Sequence, residues 1–105
     1  MFEDWSAELL GYRTLIAVDR EVLVYTGRMF PPAGGRRDSI AMWIKSGGLH
    51  LEPWMPGRQS AWLKLDTGGW VAIVDVPAFS GNRLSRVAMQ LWVLPQDLKI
   101  NVDGA

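Results

Sequence analysis

Cysteine is absent from the 105 residues, which excludes disulfides, thiol nucleophiles and thiolate-held metals. Histidine occurs once, at His50, so a zinc site, which draws three or four ligands largely from Cys and His, has almost nothing to build on. No apolar run approaches ~20 residues, and the opening residues lack the basic and apolar pattern of a leader. Neither a membrane span nor a signal peptide is therefore expected, and the expected compartment is the cytoplasm. Net charge is missing too. Eleven Asp and Glu offset eleven Lys and Arg, so the chain as a whole exerts no electrostatic pull on nucleic acid.

What is present is apolar and aromatic. Hydrophobic residues make up 49% of the chain and charged residues 21%, a balance that supports a folded core and argues against disorder. The length suits one domain over residues 1–105, with 1–11 as an N-terminal docking segment and 12–105 as its body. Charge is distributed unevenly. Residues 1–21 carry Glu3, Asp4, Glu8, Asp19 and Glu21 against Arg13 and Arg20, whereas residues 28–64 carry four arginines and two lysines against Asp38 and Glu52. Such asymmetry marks either an anion-binding face or a charge match between the two segments.

Periodicity divides the chain into short elements. In FEDWSAELLG, Phe2, Trp5 and Leu9 fall on one helical face, Asp4 stands as an N-cap, and Gly11 follows at the C-terminal glycine position, so a short helix is expected. After Gly11 the period turns to two. YRTLIAVD and EVLVYTG read as two strands, or as one long strand bent near Asp19–Arg20. MFPPAGGRRD is a loop, SIAMWIK a strand, SGG a turn, and LHLEPW a strand whose proline pushes it to an edge. MPGRQ reads as a turn. SAWLKL and GWVAIVDV form a hairpin through Asp66-Thr67-Gly68-Gly69. PAFSGNRLS reads as a loop, RVAMQLWVL as a long strand, and LPQDLKI as a turn followed by one more short strand. The expected fold is all-β: a small SH3-like barrel, or a compact sandwich, of six to seven short antiparallel strands with a short N-terminal helical segment.

Six tryptophans raise the main question. Leu63 and Leu65 share one strand face, and Trp62 stands in phase with Lys64 and Asp66 on the other. Trp43 is likewise out of phase with Ile40, Met42 and Ile44, and Trp92 with Val87, Met89, Leu91 and Val93. Trp54 falls opposite Leu49 and Leu51 if Pro53 leaves the phase intact. Two explanations compete. In one, the sheet is covered on both sides, with the N-terminal Phe2, Trp5 and Leu9 lying across the second face. In the other, Trp43, Trp62, Trp92 and Trp54, interleaved with Lys45 and Lys64, form a partner-binding surface, since aromatics are enriched at interfaces.

Catalytic patterns fare worse. Asp66-Thr67-Gly68 matches the aspartic-protease triplet, but it lies between two alternating strands, where it is ordinary turn chemistry, and too little chain follows it. His50 and Glu52 share a strand face as a hydrogen-bonded pair or two metal ligands, short of a metal site. Arg36 and Arg37 in the GGRR loop, and Arg83 in SGNR, are the candidate anion contacts, without phosphate-loop spacing. The sequence thus leads to a non-enzymatic β module without cofactor or metal, acting through protein contacts. The partner is another protein, a second copy, or a larger assembly of phage or accessory type. The alternative is a nucleic-acid-binding small barrel that stacks bases on tryptophan, with Arg36, Arg37, Lys45 and Lys64 on phosphate.

Overall fold

A computed structural model describes residues 1–31 and 40–100. Its strands are β1 (Glu8–Leu9), β2 (Tyr12–Arg13), β3 (Leu15–Tyr25), β4 (Leu49–His50), β5 (Trp54–Lys64), β6 (Trp70–Ser80), β7 (Arg86–Val93) and β8 (Leu98–Ile100). One short helix, α1 (Met42–Gly47), precedes β4, and a 3-10 turn at Pro95–Asp97 precedes β8. β1 and β2 form a separate hairpin. The other six strands make one antiparallel sheet. β6 is central: β7 pairs along one edge from Ala72↔Val93 to Phe79↔Arg86, while β5 and then β4 share the other. β3 lies beyond β5, and β8 beyond β3.

The all-β expectation holds, but the sheet does not close into a barrel. Among the described residues β7 pairs only β6, and β8 pairs only β3, through three residues. Nor are the strands uniformly short. β3, β5 and β6 each span 11 residues, about 36 Å when extended. They draw the molecule out to 56 × 29 × 28 Å, with a radius of gyration of 16.7 Å where a compact chain of this length would have about 13 Å.

Two bulges at the same level bend the sheet. β3 gains a residue between Ala17↔Ala61 and Arg20↔Gln59, and β5 gains one between Gln59↔Val74 and Ala61↔Ile73. The bend near Asp19–Arg20 is the one the sequence suggested, in a single long strand. Just beyond it β6 passes so closely over Gly57 that a Cβ there would stand 2.8 Å from the Asp75 carbonyl oxygen and from the Val74 and Val76 methyls. Only glycine fits.

Both faces are packed. The inner face gathers Val22, Val24, Met55, Ala72, Val74, Val76, Ala78, Leu91 and Val93, with Trp62, Met89 and Leu98 against them. The outer face buries a smaller cluster, Ala61, Leu63, Val71 and Ile73, flanked by Phe2, Leu15 and Leu65. Every residue from Val71 to Val74 is therefore buried, which is why this stretch reads as a continuous apolar run.

Several local expectations are corrected. The N-terminal segment is not a helix. Leu10 (φ 54°) and Gly11 (φ 84°) are both left-handed and form a two-residue turn between Leu9 and Tyr12, the geometry that matches strand twist in a hairpin. Gly11 serves a hairpin, not a helix end. Thr14 secures the ribbon: its N–H donates to the Ala7 carbonyl and its hydroxyl to the Ser6 carbonyl, while the Trp5 Nε1–H donates to Thr14 Oγ1.

SIAMWIK is not a strand. Ala41–Lys45 closes one helical turn, with Ile44 and Lys45 N–H groups donating to the Ala41 carbonyl, and the Gly48 N–H to that of Ile44. Ile40 and Ile44 fit a helical i, i+4 spacing as well as a strand's alternation, so so short a run carried no decisive period. MPGRQ is strand, not turn. β6 joins β5 only from Arg58↔Asp75, so Pro56 sits where β5 is laddered on one side and its missing N–H costs no bond. PAFS is also strand. The β6–β7 loop begins at Gly81, tied to α1 by Gly81 and Asn82 N–H groups donating to the Gly48 and Ser46 carbonyls.

Candidate functional site

The out-of-phase tryptophans do not share one surface. Trp62 faces Ala72 and, beyond it, Val93, whereas Trp92 faces Ile73. Ala72 and Ile73 are neighbours on β6 and point to opposite faces, so Trp62 lies on the inner face and Trp92 on the outer. Trp54 is also outer, opposite Tyr25. Trp43 is on α1, outside the sheet.

Their environments differ as much as their positions. Trp62 is half-buried against the main core, and the Arg20 guanidinium stands over its ring at 5.7 Å. Arg20 Nε in turn donates to Gln59 Oε1 at 2.7 Å, and Gln59, wholly buried between the two bulges, donates to the Ala61 carbonyl at 3.1 Å. Trp62 thus covers a buried polar node, and with Ile16, Trp70 and Pro95 it lines a shallow cleft of about 260 Å³. The tryptophan's own side of β5 is the larger core. The N-terminal Phe2 covers the leucine side instead.

Trp54 is packed by Tyr25 at 5.2 Å between centroids and by Lys99 Nζ at 4.1 Å from its ring. Lys64 Nζ lies 4.8 Å from the Trp70 ring and donates to the Gly68 carbonyl. Trp92 and Trp43 are the open ones, 47% and 75% exposed. Lys45 is half-buried on α1 beside Trp43.

Of the candidate anion contacts, Arg83 is held in the β6–β7 loop with its guanidinium 5.5 Å from the Phe79 ring. Arg36 and Arg37 lie outside the described residues. Part of the charge asymmetry is an internal match, since Arg58 Nε bonds Asp19 Oδ1 and its Nη1 approaches Glu21 at 3.8 Å. The hydrogen bond from Arg58, then its charge, holds the Asp19 carboxyl below its ordinary value.

His50 and Glu52 form a hydrogen-bonded pair, one of the two arrangements the sequence left open, with Nε2 and Oε1 2.7 Å apart although β4 ends at His50. The bond holds the Glu52 carboxyl below its ordinary value. Among the described residues no three His, Asp or Glu side chains gather as metal ligands would. Asp75 shares the outer face with His50 through the partner positions Asp75↔Gln90 and His50↔Phe79, but four residues of strand, about 13 Å, separate them. The Asp66–Gly69 motif is a turn, closed by the Leu65 N–H on the Gly69 carbonyl and the Gly68 N–H on that of Leu65.

Two functional-looking groups went unread in the sequence. Arg20 shares its face with Val22 and Val24, a charge in an apolar phase that signals a buried partner. Asp97, 5% exposed, takes Arg28 Nε on both carboxylate oxygens at 3.0 and 2.9 Å, and nothing local in the sequence announces a pair 69 residues apart.

Two groups of exposed apolar residues stand at the two ends of β6, while others, Met29, Phe30 and Ile100 among them, lie elsewhere. Beyond Ser80 lie α1 and β4, with Ile40, Met42, Trp43, Ile44 and Leu49 all exposed. Near Trp70, where Lys64 N–H donates to the Thr14 carbonyl, the β1–β2 hairpin presents Leu9, Leu10 and Tyr12. No protein-family model matches this chain, and neither characterised proteins nor solved structures yield a match.

Proposed function

We propose that the protein is a non-catalytic binding module of the cytoplasm that acts through protein–protein contacts, docking by its α1 end on a partner protein or larger assembly. The observation that carries this reading is α1 itself. It is six residues long and buries none of them, with Met42 72% and Trp43 75% exposed. A helix of that length is not self-sustaining, and tryptophan and methionine are residues that interfaces favour. A surface pairing a large aromatic with adaptable methionine fits an apolar protein groove.

The nucleic-acid alternative needs free ring faces flanked by free cations. Here Arg20, Lys64 and Lys99 already stand over Trp62, Trp70 and Trp54, which favours the protein reading. The test has two arms. A photo-crosslinker at Trp43 should label one discrete partner in the producing cells, with the same group at Thr67 as control, and Trp43→Ser should abolish that association without lowering the melting midpoint. Titration with a single-stranded oligonucleotide at low salt should leave tryptophan fluorescence unchanged. Quenching relieved by salt would transfer the function to nucleic acid.

A further inference from the structure

The two borders of the sheet are built differently. β8 is three residues long and carries Lys99, the short, charged form that discourages further pairing. β7 is eight residues long, and from Val87 to Val93 it has no charge, proline or glycine. Its pairing with β6 runs without a bulge, and among the described residues its other edge meets no strand. Such an edge is a row of unpaired backbone donors and acceptors, which selects another extended strand as its ligand.

We infer that β7 is a homodimer interface, pairing antiparallel with β7 of a second copy about a two-fold axis at Gln90. This surface is separate from the α1 end and does not depend on that reading. A two-fold axis normal to the sheet sets residues of one parity opposite each other, so each face continues unbroken into the second copy. Val87 then meets Val93 of the second copy, and Met89 meets Leu91, extending the inner apolar row. On the outer side the half-exposed Trp92 lies against the small Ala88. Gln90 meets itself, and an amide that both donates and accepts can bond its own copy reciprocally. Arg86 falls opposite the apolar Leu94, so no like charges meet. The chain's formal charge of zero leaves no net repulsion between copies.

The lack of native cysteine permits a direct test. Light scattering should give twice the chain mass at working concentration, falling toward one chain on dilution. Gln90→Cys should form an intermolecular disulfide under mild oxidant about tenfold or more faster than Asp66→Cys in the distant β5–β6 turn, because the axis holds the two thiols at high effective concentration. The reduced Q90C protein should melt like the parent, which shows that the fold is intact. A single-chain mass at every concentration up to the solubility limit overturns the interface. So does a dimer in which Q90C cross-links no faster than D66C.

Discussion

The first half of β6 and the start of α1 are both apolar, yet one is the most buried stretch of the sheet and the other stands open. Val71–Val74 have cover on each face: Val22, Val24, Leu91 and Val93 on the inner side, Ala61, Leu63 and Phe2 on the outer. Met42 and Trp43 have little, at 72% and 75% exposed, and none of the α1 residues is buried. Apolar composition thus states a demand for cover, and topology decides whether the chain itself meets it. Trp62 and Trp43 make the point within one residue type. Both alternate with aliphatic residues in the sequence, but Trp43 falls on a helix outside the sheet, whereas Trp62 lands on the side where β3, β6 and the β7–β8 connection converge.

The comparison is broken most severely by emptying the covered side. Ile73→Ala, at a site with no exposure, should cost about 2–5 kcal/mol, the range for removing three carbons from a closed core, read as a lower urea midpoint with unchanged slope. Next comes the close crossing that folds β6 over β5. Gly57→Ala should cost about 2 kcal/mol, because the new methyl meets a backbone carbonyl and two valines that cannot retreat together. At the hairpin the sign reverses. Leu10 is 88% exposed and left-handed, so Leu10→Asn loses no packing and relieves strain. A gain of about 0.5–1 kcal/mol should appear as a higher melting midpoint.

Smaller still is the acid response of the Asp19–Arg58 pair. The carboxyl is held below its ordinary 3.8, so its contribution is complete above that value and fades as pH falls through the lower folded value. Both side chains are exposed, so Asp19→Asn should flatten the acid limb of a stability–pH curve only slightly. At the bottom of the scale is Trp43→Ser, which should leave stability within about 0.5 kcal/mol of the parent. A large loss there would mean that α1 is covered after all, and would remove the contrast with β6.

How much of this was legible in the sequence depends on the range of the interactions involved. The hairpin at Asp66–Gly69, the β7 strand and the bend near Asp19 were readable, because each rests on alternation or turn chemistry within a few residues. The His50–Glu52 pair was legible only as one of two alternatives, and the strand expected to carry both residues ends at His50. α1 was misread because Ile40, Met42 and Ile44 alternate as a strand would, while the Ile40–Ile44 spacing alone also fits a helix, and so short a run carries no decisive period. MPGRQ was misread because Pro-Gly is turn chemistry unless another strand needs a glycine's clearance, and that strand, β6, lies some twenty residues away. The grouping of four tryptophans assumed that strand phase carries across a sheet. The bulges at Val18–Asp19 and Ser60 each shift that phase by one, and strand order sets Trp62 and Trp92 on opposite faces.

By itself, then, the sequence determined the class of the molecule: a cysteine-free, charge-neutral β chain rich in tryptophan, with its main hairpin and last long strand in place. Those properties follow from composition and from period-two patterning, which act between near neighbours. Tertiary structure alone decided which apolar residues found cover, that Arg20 and Gln59 would meet under Trp62, that Asp97 would take Arg28, and that β7 would stand at an open edge. Each of these depends on segments far apart in the chain arriving at one place. No local pattern encodes such an arrival, because burial belongs to the pair of surfaces and not to either residue.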